Sequence, residues 1–408
     1  MTRRVLFVAP AVPSPTRNGL RMRGWLFLRG LARDHRVTLV AGSPGFPNET
    51  AADVRGLGDL VDQSVLLRFD ALHAPVLLYR RVASALGRGE PLRAWLEPTR
   101  TMRRRLAALG GARFHRIHVL RLYMLPMALA VPQAGEDVSI DLDVDDWESQ
   151  THLALADLAA HHDPQHACQV RTQARAFEAR EREWLPRVSR VFACSDRDAA
   201  ALAARHHLRN VVVVENAVRV PAVLAKPSDA EPADLLFIGA LGYFPNQDAV
   251  RFLLDEVLCP LRTAVAHPFR LVVAGEAAPR SLRARLRAER DVLWVDSPLR
   301  VEPLYERARV ALAPIRAGGG TRVKVLEAFA QGRPVVATAA AVEGLAVEPG
   351  VHFLRAETAV EWVEALRSLL ETPARGHRLA EAAFAWVRRR PLEAGVDRVA
   401  TLARADER

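Results

Sequence analysis

The sequence predicts an α/β fold with two Rossmann-like domains, each a parallel sheet covered by helices. Short apolar runs alternate with longer amphipathic segments along the whole chain, which is the pattern of repeated βα units. The chain has 408 residues, and this length favours two domains of about 200 residues over one core. A stretch rich in Pro, Ala, Ser and Asp, residues 221–232, separates two halves that each begin with a strand and a glycine-containing loop.

The bulk composition is that of a globular protein, with 50% apolar and 25% charged residues. Its three cysteines have no metal-ligand spacing, and their small, odd number indicates a reducing compartment. None resembles a nucleophile. The apolar run that follows Arg3 and Arg4 ends at Pro10, which is too early for a signal peptide or a membrane span. No other run approaches about 18 apolar residues. We therefore expect a cytoplasmic protein.

The net charge of +10 and the pI near 10.5 raise the question of an anionic partner. Binding of nucleic acid is disfavoured, because the arginines are dispersed and aromatic residues, which supply stacking platforms, make up only 6% of the chain. The densest basic stretch contains Arg80, Arg81, Arg88, Arg93, Arg100 and residues 103–105. It is compatible with peripheral contact with the anionic inner face of a membrane, but a solvated helix face in an arginine-rich protein is the favoured interpretation.

The first half contains seven runs with the length and apolarity of buried strands: 5–9, 35–41, 65–67, 116–119, 138–142, 190–194 and 211–214. A helix from Gly19 to about Arg33 joins the first two strands. Because only one glycine stands at this turn, the Gly-x-Gly-x-x-Gly fingerprint of dinucleotide-binding proteins is absent. Gly19 is either a helix-start glycine or a backbone amide that faces a phosphate or a sugar.

Polar side chains follow two strands of this half at their carboxyl ends, where open α/β sheets bind ligands. His118 lies on the fourth strand and Arg121 follows it, so both are candidates for the sugar or acceptor side. A histidine at a strand end is also commonly a structural residue. Asp145 belongs to an acidic run after the fifth strand and is the third candidate for the acceptor side.

That acidic run, with carboxylates at positions 143, 145, 146 and 148, suggests a divalent-metal site. Its position late in the first domain, with no partnering histidine or glycine turn, argues against a metal. We expect instead that Asp143 or Asp145 lines the acceptor side and that Asp146 or Ser149 caps the next helix. The neighbouring histidines 161, 162 and 166 are disfavoured as metal ligands because they fall between two helical stretches.

The second half repeats the pattern, with strands at 234–239, 269–275, 292–296, 310–313 and 335–338. After the first of these strands, a loop with Gly239 and Gly242 leads into a helix that begins near Asn246, which is a phosphate-facing arrangement. The predicted organisation is an N-terminal domain at 1–218, a linker at 219–233, a C-terminal domain at 234–390 and a C-terminal helix at 391–408.

The most informative stretch is the strand at 310–313 with the loop and helix that follow it. Gly318, Gly319 and Gly320 leave the backbone amides accessible, and Thr321 is the expected N-cap. The helix start then carries Arg322, Lys324 and Glu327. Free N–H groups and two cations make this a site for a diphosphate, while a carboxylate can accept hydrogen bonds from sugar hydroxyls. The chain has only two lysines, at 226 and 324, so a lysine in this loop is unusual.

This glycine loop and helix resemble the donor-site signature of glycosyltransferase family 4, whose members are retaining enzymes with the GT-B fold. The segment from Gly239 to Asn246 further resembles a subgroup of sugar transferases associated with exopolysaccharide clusters. The resemblance implies donor contacts from Gly19, Gly242, Asn246, Gly319, Gly320 and Thr321, and catalytic roles for Arg322, Lys324 and Glu327. Many family members carry another glutamate eight positions before the one equivalent to Glu327, and here that position is Gly319.

The resemblance implies a hexosyltransferase-like enzyme of polysaccharide biosynthesis with two Rossmann-like domains facing an interdomain cleft. It also implies that the C-terminal helix at 391–408 crosses back to the first domain. Such an enzyme would move a sugar from a nucleotide-diphosphate sugar to a hydroxyl of a glycan, lipid-linked or small-molecule acceptor, with no cofactor and no metal. The alternatives are a GT-B epimerase, which needs no acceptor, a phosphorylase and a non-catalytic nucleotide-sugar-binding partner subunit. The last would bind nucleotide without transferring sugar.

Overall fold

The computed structural model describes residues 3–16, 18–44, 46, 49–68, 96–109, 113–132, 138–160 and 163–405. The chain divides into two compact units. The first unit comprises Met1–Thr16, Leu20–Asn216 and Glu393–Arg408, and the second comprises Arg17–Gly19 and Ala217–Leu392.

The sheet of the first unit contains seven described strands, all parallel, in the order β3-β2-β1-β4-β5-β6-β7. Their bounds are β1 Arg4–Ala9, β2 Arg36–Ala41, β3 Gln63–Leu66, β4 Arg116–Leu120, β5 Ser139–Asp143, β6 Arg190–Ala193 and β7 Val211–Val213. The central strand β1 is buried along almost its whole length, with positions 5–9 all 0% exposed. Helices on both faces therefore explain why these strands are continuous apolar runs and not alternating ones.

The described helices of this unit are α1 Gly19–Leu31, α2 Ala51–Arg55, α3 Arg100–Ala107, α4 Leu125–Leu129, α5 Glu148–Ala160, α6 Pro164–Trp184 and α7 Asp196–His206. Side chains cap several of their first turns. The Ser195 hydroxyl accepts from the Asp198 amide at the start of α7, and the Asp163 carboxylate accepts from the His166 amide at the start of α6. These caps satisfy N–H groups that have no partner within the helix.

The sheet of the second unit contains six described strands, again parallel, in the order β10-β9-β8-β11-β12-β13. Their bounds are β8 Ala233–Ile238, β9 Phe269–Gly275, β10 Val292–Asp296, β11 Ala308–Ala313, β12 Val335–Ala337 and β13 Leu354–Arg355. The order places β8 and β11 side by side in the centre. The loops that follow these two strands are therefore neighbours at the carboxyl edge of the sheet.

The described helices of the second unit are α8 Phe244–Phe252, α9 Leu258–Ala264, α10 Arg280–Ala288, α11 Glu302–Arg307, α12 Val323–Ala330, α13 Ala359–Glu371 and α14 Pro373–Arg388. A single turn of π-helix, Leu253–Val257, joins α8 to α9. At the start of α13, Thr358 and Glu361 form a reciprocal capping box. Gly332, at φ +66° in the left-handed region, follows Gln331, the C-cap residue of helix α12.

The last helix, α15 Leu392–Ala405, packs within the first unit. The Arg29 guanidinium donates to both carboxylate oxygens of Glu393, at 2.8 and 3.1 Å, and the Arg190 guanidinium donates to the Leu402 carbonyl at 2.7 Å. Gly30 allows α1 to approach closely, because a Cβ built there would lie 2.5 Å from the side chain of Val399. Polar contacts at the ends and close packing in the middle hold the helix in place.

Part of the predicted linker is bonded to the second unit. The fully buried Arg333 guanidinium donates to the carbonyls of Ala225 and Ala308, at 2.8 and 3.2 Å, and Arg309 donates to the Ser228 carbonyl. A Cβ at Gly332 would collide with the Ala225 carbonyl oxygen. Residues 225–228 are therefore fixed by hydrogen bonds, in contrast to a free spacer.

The predicted fold class is confirmed, with two Rossmann-like units built on parallel sheets. Every strand predicted from an apolar run is present, although several ends differ by one or two residues. The prediction omitted β13, which has only two residues, too few to produce a pattern of hydrophobicity.

Candidate functional site

The glycine loop lies between the buried strand β11 and helix α12. Gly318 and Gly320 have φ values of +133° and +66°, so both occupy backbone conformations that favour glycine. The prediction that Thr321 caps the helix is wrong. Arg322 is the N-cap residue, and it makes no side-chain capping bond. The first N–H groups of α12 are therefore not capped by the N-cap side chain.

The Arg322 side chain folds back over the loop. One terminal nitrogen of its guanidinium donates to the Gly319 carbonyl oxygen, and a Cβ built on Gly318 would lie 2.6 Å from the other. Its Nε is buried and has no hydrogen-bond partner within the described residues. Glycine at 318 therefore provides the space in which the guanidinium lies against the loop.

Lys324 lies in the first turn of α12 and is half-buried. Its Nζ donates to Asn246 Oδ1 at 2.8 Å and lies 4.3 Å from the centre of the Phe237 ring. Burial, and secondarily the positive charge of Arg322, lower the pKa of Lys324 from 10.5 to about 7, while Glu327 opposes the shift. The charge of this ammonium is therefore sensitive to pH near neutrality.

Glu327 lies three residues further along α12 and is also half-buried. Burial raises the pKa of its carboxyl group from 4.5 to about 7, opposed by Lys324 and reinforced by the charge of Glu302. The buried Tyr305 hydroxyl donates to the Lys324 carbonyl at 3.3 Å. Burial and the charge of Glu327 raise the pKa of Tyr305 well above its usual value, so this hydroxyl stays protonated.

The second loop of the site follows β8 and contains Gly239, Gly242 and Asn246. Gly242 is exposed, whereas Asn246 is buried in the first turn of α8. Asn246 Nδ2 donates to the Ala240 carbonyl at 2.8 Å, and its Oδ1 accepts from Lys324. Helix α8 begins at Phe244, two residues before the predicted start. The Asn246 side chain thus joins the two loops.

The second unit therefore brings together most of the residues predicted for the donor. Lys324 is bonded to Asn246, Glu327 is near enough for its charge to act on Lys324, and Arg322 covers the adjacent glycine loop. Two cations beside a helix N-terminus can stabilise the negative charge of a diphosphate, and the carboxylate can accept hydrogen bonds from hydroxyl groups. A site with these groups can bind a nucleoside diphosphate and stabilise the charge that develops when it departs.

In the first unit, His118 lies in the core of the protein. It is 1% exposed and stacks on Phe27 with ring centres 4.4 Å apart, between the rings of Phe7 and Phe192. Burial, with the positive charges of Arg23 and Arg116, lowers the pKa of His118 to about 3. This neutral ring within an aromatic cluster fits the structural interpretation of His118 and not a sugar contact.

Arg121 is placed among three of the four carboxylates of the acidic run. Its guanidinium lies 3.1 Å from Asp145, 3.3 Å from Asp146 and 2.9 Å from Glu148. Burial raises the pKa of Glu148 to about 8, and Arg121 opposes that shift. Arg121 and Asp145 have positive φ values, +74° and +49°, which are uncommon for residues other than glycine. The two predicted acceptor-side residues are thus paired at the carboxyl edge of the sheet.

The fourth carboxylate, Asp143, is paired with an arginine that the sequence did not single out. Arg23 is fully buried in α1, and its guanidinium donates to both oxygens of Asp143 at 2.9 Å and to Asn216 Oδ1 at 3.2 Å. It also donates to the Val214 carbonyl. Nothing in the local sequence distinguishes Arg23 from its neighbours, because its partners are 120 or more residues away.

The two predicted helix caps of the acidic run, Asp146 and Ser149, make contacts with other side chains. Asp146 accepts from the Thr151 hydroxyl, and the Ser149 hydroxyl donates to Glu181 at 2.6 Å. The Glu181 carboxylate, on α6, also accepts from the Ser149 amide at 3.0 Å, so a neighbouring helix satisfies the start of α5. Among the described residues no group of three or more potential ligands could hold a metal ion. His161 and His162, which the sequence analysis considered as metal ligands, lie outside the described residues.

Half of the basic stretch, with Arg80, Arg81, Arg88 and Arg93, falls outside the described residues. The remainder forms α3, where Arg100 and the arginines at 103, 104 and 105 are exposed while Met102 is buried. Within the described part of the chain, none of the helices combines the length and the apolarity needed to span a bilayer.

Comparison with known proteins supports the assignment of the second unit. Residues 232–372 match the family model described as "Glycosyl transferases group 1". This region contains both glycine loops, Asn246, Lys324 and Glu327. A search of curated proteins gives no match.

Solved structures share the fold over the whole chain at low sequence identity. A glycosyltransferase from Rickettsia africae ESF-5 matches with a TM-score of 0.63 at 13% identity, covering 99% of this chain and 98% of its own. HepE of Anabaena, in complex with UDP and glucose, matches with a TM-score of 0.61 at 14% identity, covering 98% of this chain and 99% of its own. A mutant of TarM of S. aureus, in complex with fondaparinux, alpha-GlcNAc-glycerol and UDP, matches with a TM-score of 0.68 at 8% identity. The match covers 98% of this chain and 99% of the TarM chain.

At these identities the structural matches establish the GT-B fold, and the family match adds the class of chemistry. Together they assign the chain as a glycosyltransferase, an enzyme that transfers a sugar. The predicted enzyme class is confirmed at this level.

Proposed function

We propose that this protein is a retaining glycosyltransferase of family 4 that moves a sugar from a nucleotide-diphosphate sugar to a hydroxyl group of a glycan, lipid-linked or small-molecule acceptor. The observation that carries the proposal is the half-buried Lys324 ammonium, held at the start of α12 beside the glycine loop with Glu327 on the following turn. A buried cation needs an anionic partner to offset its desolvation, and a diphosphate supplies one.

In the proposed donor complex, the diphosphate contacts the amides of the glycine loop at 319–321, with Lys324 and Arg322 beside it. Arg322 must exchange its bond to the Gly319 carbonyl for one to a phosphate oxygen. Glu327 accepts hydrogen bonds from the ribose hydroxyls in its ionised form. The resemblance to exopolysaccharide sugar transferases supports a hexosyl donor.

The transfer breaks the bond between the anomeric carbon and the phosphate oxygen, and forms a bond from the same carbon to the acceptor oxygen on the same face. The acceptor proton passes to an oxygen of the departing diphosphate, which also keeps the electron pair of the broken bond. Lys324 and Arg322 stabilise the charge on that leaving group. The donor site offers cations, amides and one carboxylate, so the proposed step assigns no protein base.

Arg121 and Asp145 are proposed to act on the acceptor side. Support comes from their position directly beyond the carboxyl ends of β4 and β5, where open α/β sheets present ligand contacts. Their ion pair fixes both side chains, which favours directional contacts to hydroxyl groups. Replacement of Asp145 by Asn should therefore raise the KM for the acceptor and leave the KM for the donor unchanged.

The reaction is also proposed to be independent of metal ions, because two cationic side chains already lie at the site proposed for the diphosphate. Sugar transfer measured with and without EDTA tests this directly. Turnover that falls on chelation and returns with Mg²⁺ or Mn²⁺ would contradict it.

The test of the donor site is binding followed by turnover. A thermal-shift panel of nucleoside diphosphates and their sugars identifies the donor, and mass spectrometry with candidate acceptors identifies the product. Lys324→Ala should lower turnover about 10- to 100-fold or more, because a charge-assisted bond contributes roughly 1.5 to 3 kcal/mol. Glu327→Ala should mainly weaken nucleotide binding. Normal turnover in both variants would refute the assignment, and binding without transfer in the wild type would indicate a partner subunit.

Peripheral contact with an anionic membrane is the remaining proposal. It is supported by the four exposed arginines of α3, a density of positive charge that attracts anionic lipid. Co-sedimentation with phosphatidylglycerol vesicles should fall when the residues at 103–105 are replaced by glutamine. Equal sedimentation of both proteins would argue for a solvated helix face.

A further inference from the structure

We propose that Asn246 is a positioning residue that holds the Lys324 ammonium at the donor site and does not itself bind the donor. This revises the expectation that Asn246 contacts the nucleotide sugar, and it rests on the proposed function of Lys324. The Lys324 Nζ donates to Asn246 Oδ1 at 2.8 Å across 78 residues of sequence.

The chemistry of the two partners fixes the orientation of the Asn246 amide. An ammonium only donates hydrogen bonds and a backbone carbonyl only accepts them. Nδ2 must therefore face the Ala240 carbonyl, 2.8 Å away, and Oδ1 must face Lys324. In the flipped orientation, both contacts would be repulsive. Both ends of the amide are engaged within the protein, and the residue is 8% exposed, so little of it remains for a ligand.

The surrounding backbone is shaped to admit this side chain. A Cβ built on Gly239 would lie 2.8 to 2.9 Å from three atoms of the Asn246 side chain, closer than real Cβ contacts. A Cβ on Gly275 would in turn overlap the Gly239 carbonyl. Gly239 is thus required by its packing against Asn246, and Gly275 by its packing against the Gly239 backbone. The glycine after β8, which resembles a phosphate-facing residue in sequence, makes space for the asparagine.

The Lys324 ammonium is bonded to Asn246, although Glu327 is its neighbour on the same helix. Side chains three residues apart on a helix are close enough to pair. Within the described structure, Asn246 supplies the hydrogen-bond acceptor for Nζ, while the Phe237 ring covers it at 4.3 Å and Tyr305 fixes the lysine backbone. Asn246 thereby keeps the ammonium apart from Glu327, which leaves the cation for the diphosphate and the carboxylate for the ribose.

A double-mutant cycle on nucleotide binding tests the proposal. The probe is the nucleoside diphosphate that gives the largest thermal shift among UDP, GDP, ADP, CDP and TDP, titrated by calorimetry to tens of millimolar. Asn246→Ala should weaken binding about tenfold in the wild-type background and less than about twofold in the Lys324→Met background, because its effect passes through the lysine. Asn210→Ala is the matched control, since Asn210 Nδ2 also donates to a backbone carbonyl, that of Val188 at 2.8 Å, and has no lysine partner.

The outcomes separate the two proposals. An equal loss from Asn246→Ala in both backgrounds would show direct contact with the ligand and overturn the positioning role, while the donor site would stand. Unchanged nucleotide binding in Asn246→Ala would also overturn the positioning role of Asn246. If Lys324→Met itself binds nucleotide like the wild type, the donor-site assignment fails together with the inference.

Asn246→Asp supplies a second readout that does not depend on loss of the side chain. A carboxylate next to the ammonium favours the charged form, so the pH at which nucleotide affinity begins to fall should move up by about one unit or more. An unchanged pH midpoint would contradict the proposal even if affinity changed. Thermal unfolding without ligand confirms that each variant is folded before binding is compared.

Discussion

The pH dependence of nucleotide binding provides the sharpest test of the donor site. The pKa of Lys324 is lowered to about 7 in the free protein, and its ordinary value is 10.5. Above pH 7 the charged fraction of the lysine therefore falls about tenfold for each pH unit, which corresponds to about 1.4 kcal/mol of lost affinity per unit. If the diphosphate requires the ammonium, the affinity of the wild-type protein should fall on this slope between pH 7 and 9.

Lys324→Arg removes the cause of that slope. A guanidinium remains charged across this range, and both the Asn246 oxygen and the Phe237 ring can receive it. We expect the variant to bind more weakly than the wild type at pH 6.5, because the planar group is larger. Its affinity should nevertheless stay constant as the pH rises to 9.

Glu327 titrates in the same range and must be separated from the lysine. Its pKa of about 7 means that the carboxylate becomes available to the ribose as the pH rises, which opposes the effect of Lys324. Calorimetric titrations at half-unit steps from pH 6 to 9 are therefore compared in a Glu327→Gln background, with lysine and with arginine at 324. The protonation of the ligand cancels between the two proteins at each pH. Parallel curves for the two proteins would refute the reasoning.

Three further predictions concern stability. Because the pKa of Glu327 is raised on folding, the wild type should lose stability relative to Glu327→Gln as the pH rises from about 4.5 to 7, which thermal unfolding at several pH values would show; a constant difference would contradict the shift. Arg23→Met should cost about 3 to 5 kcal/mol in urea unfolding by leaving Asp143 buried and unpaired, whereas adding Asp143→Leu should recover most of that loss; equal loss in the double variant would show that packing dominates. Gly350→Ala should cost about 1 to 3 kcal/mol, because Gly350 has a positive φ. Gly332→Ala should cost more, because Gly332 also has a positive φ and, of the two, only its Cβ would meet a backbone oxygen. Equal losses would rule out the collision.

Several features of the donor site could be predicted from the sequence because they depend on local chemistry. The glycine loop after β11 and the helix start with two cations and a carboxylate lie within ten residues of one another, so their proximity follows from chain connectivity. The scarcity of lysine singled out Lys324. The prediction of a Thr321 cap is wrong because the residue at which a helix begins depends on backbone dihedral angles, which residue preferences determine only weakly.

The features that could not be predicted join distant parts of the chain. Asn246 looks like a donor contact in the sequence because it stands after a glycine loop. The partner that sets its role, Lys324, is 78 residues away, and no local pattern connects the two. His118 resembled a ligand contact because its strand position is compatible with either environment, and the aromatic rings that enclose it come from α1, β1 and β6. Arg23 gave no signal at all.

The sequence by itself determined the two parallel sheets, because strands that are buried on both faces consist mostly of apolar residues, which gives short continuous apolar runs. It also determined the chemical type of the donor site, since that depends on which groups lie on one short loop and helix. Only the tertiary structure decided which polar groups bind one another. A buried charge is stabilised by whichever partner the fold brings within hydrogen-bonding distance, and sequence separation does not encode that distance.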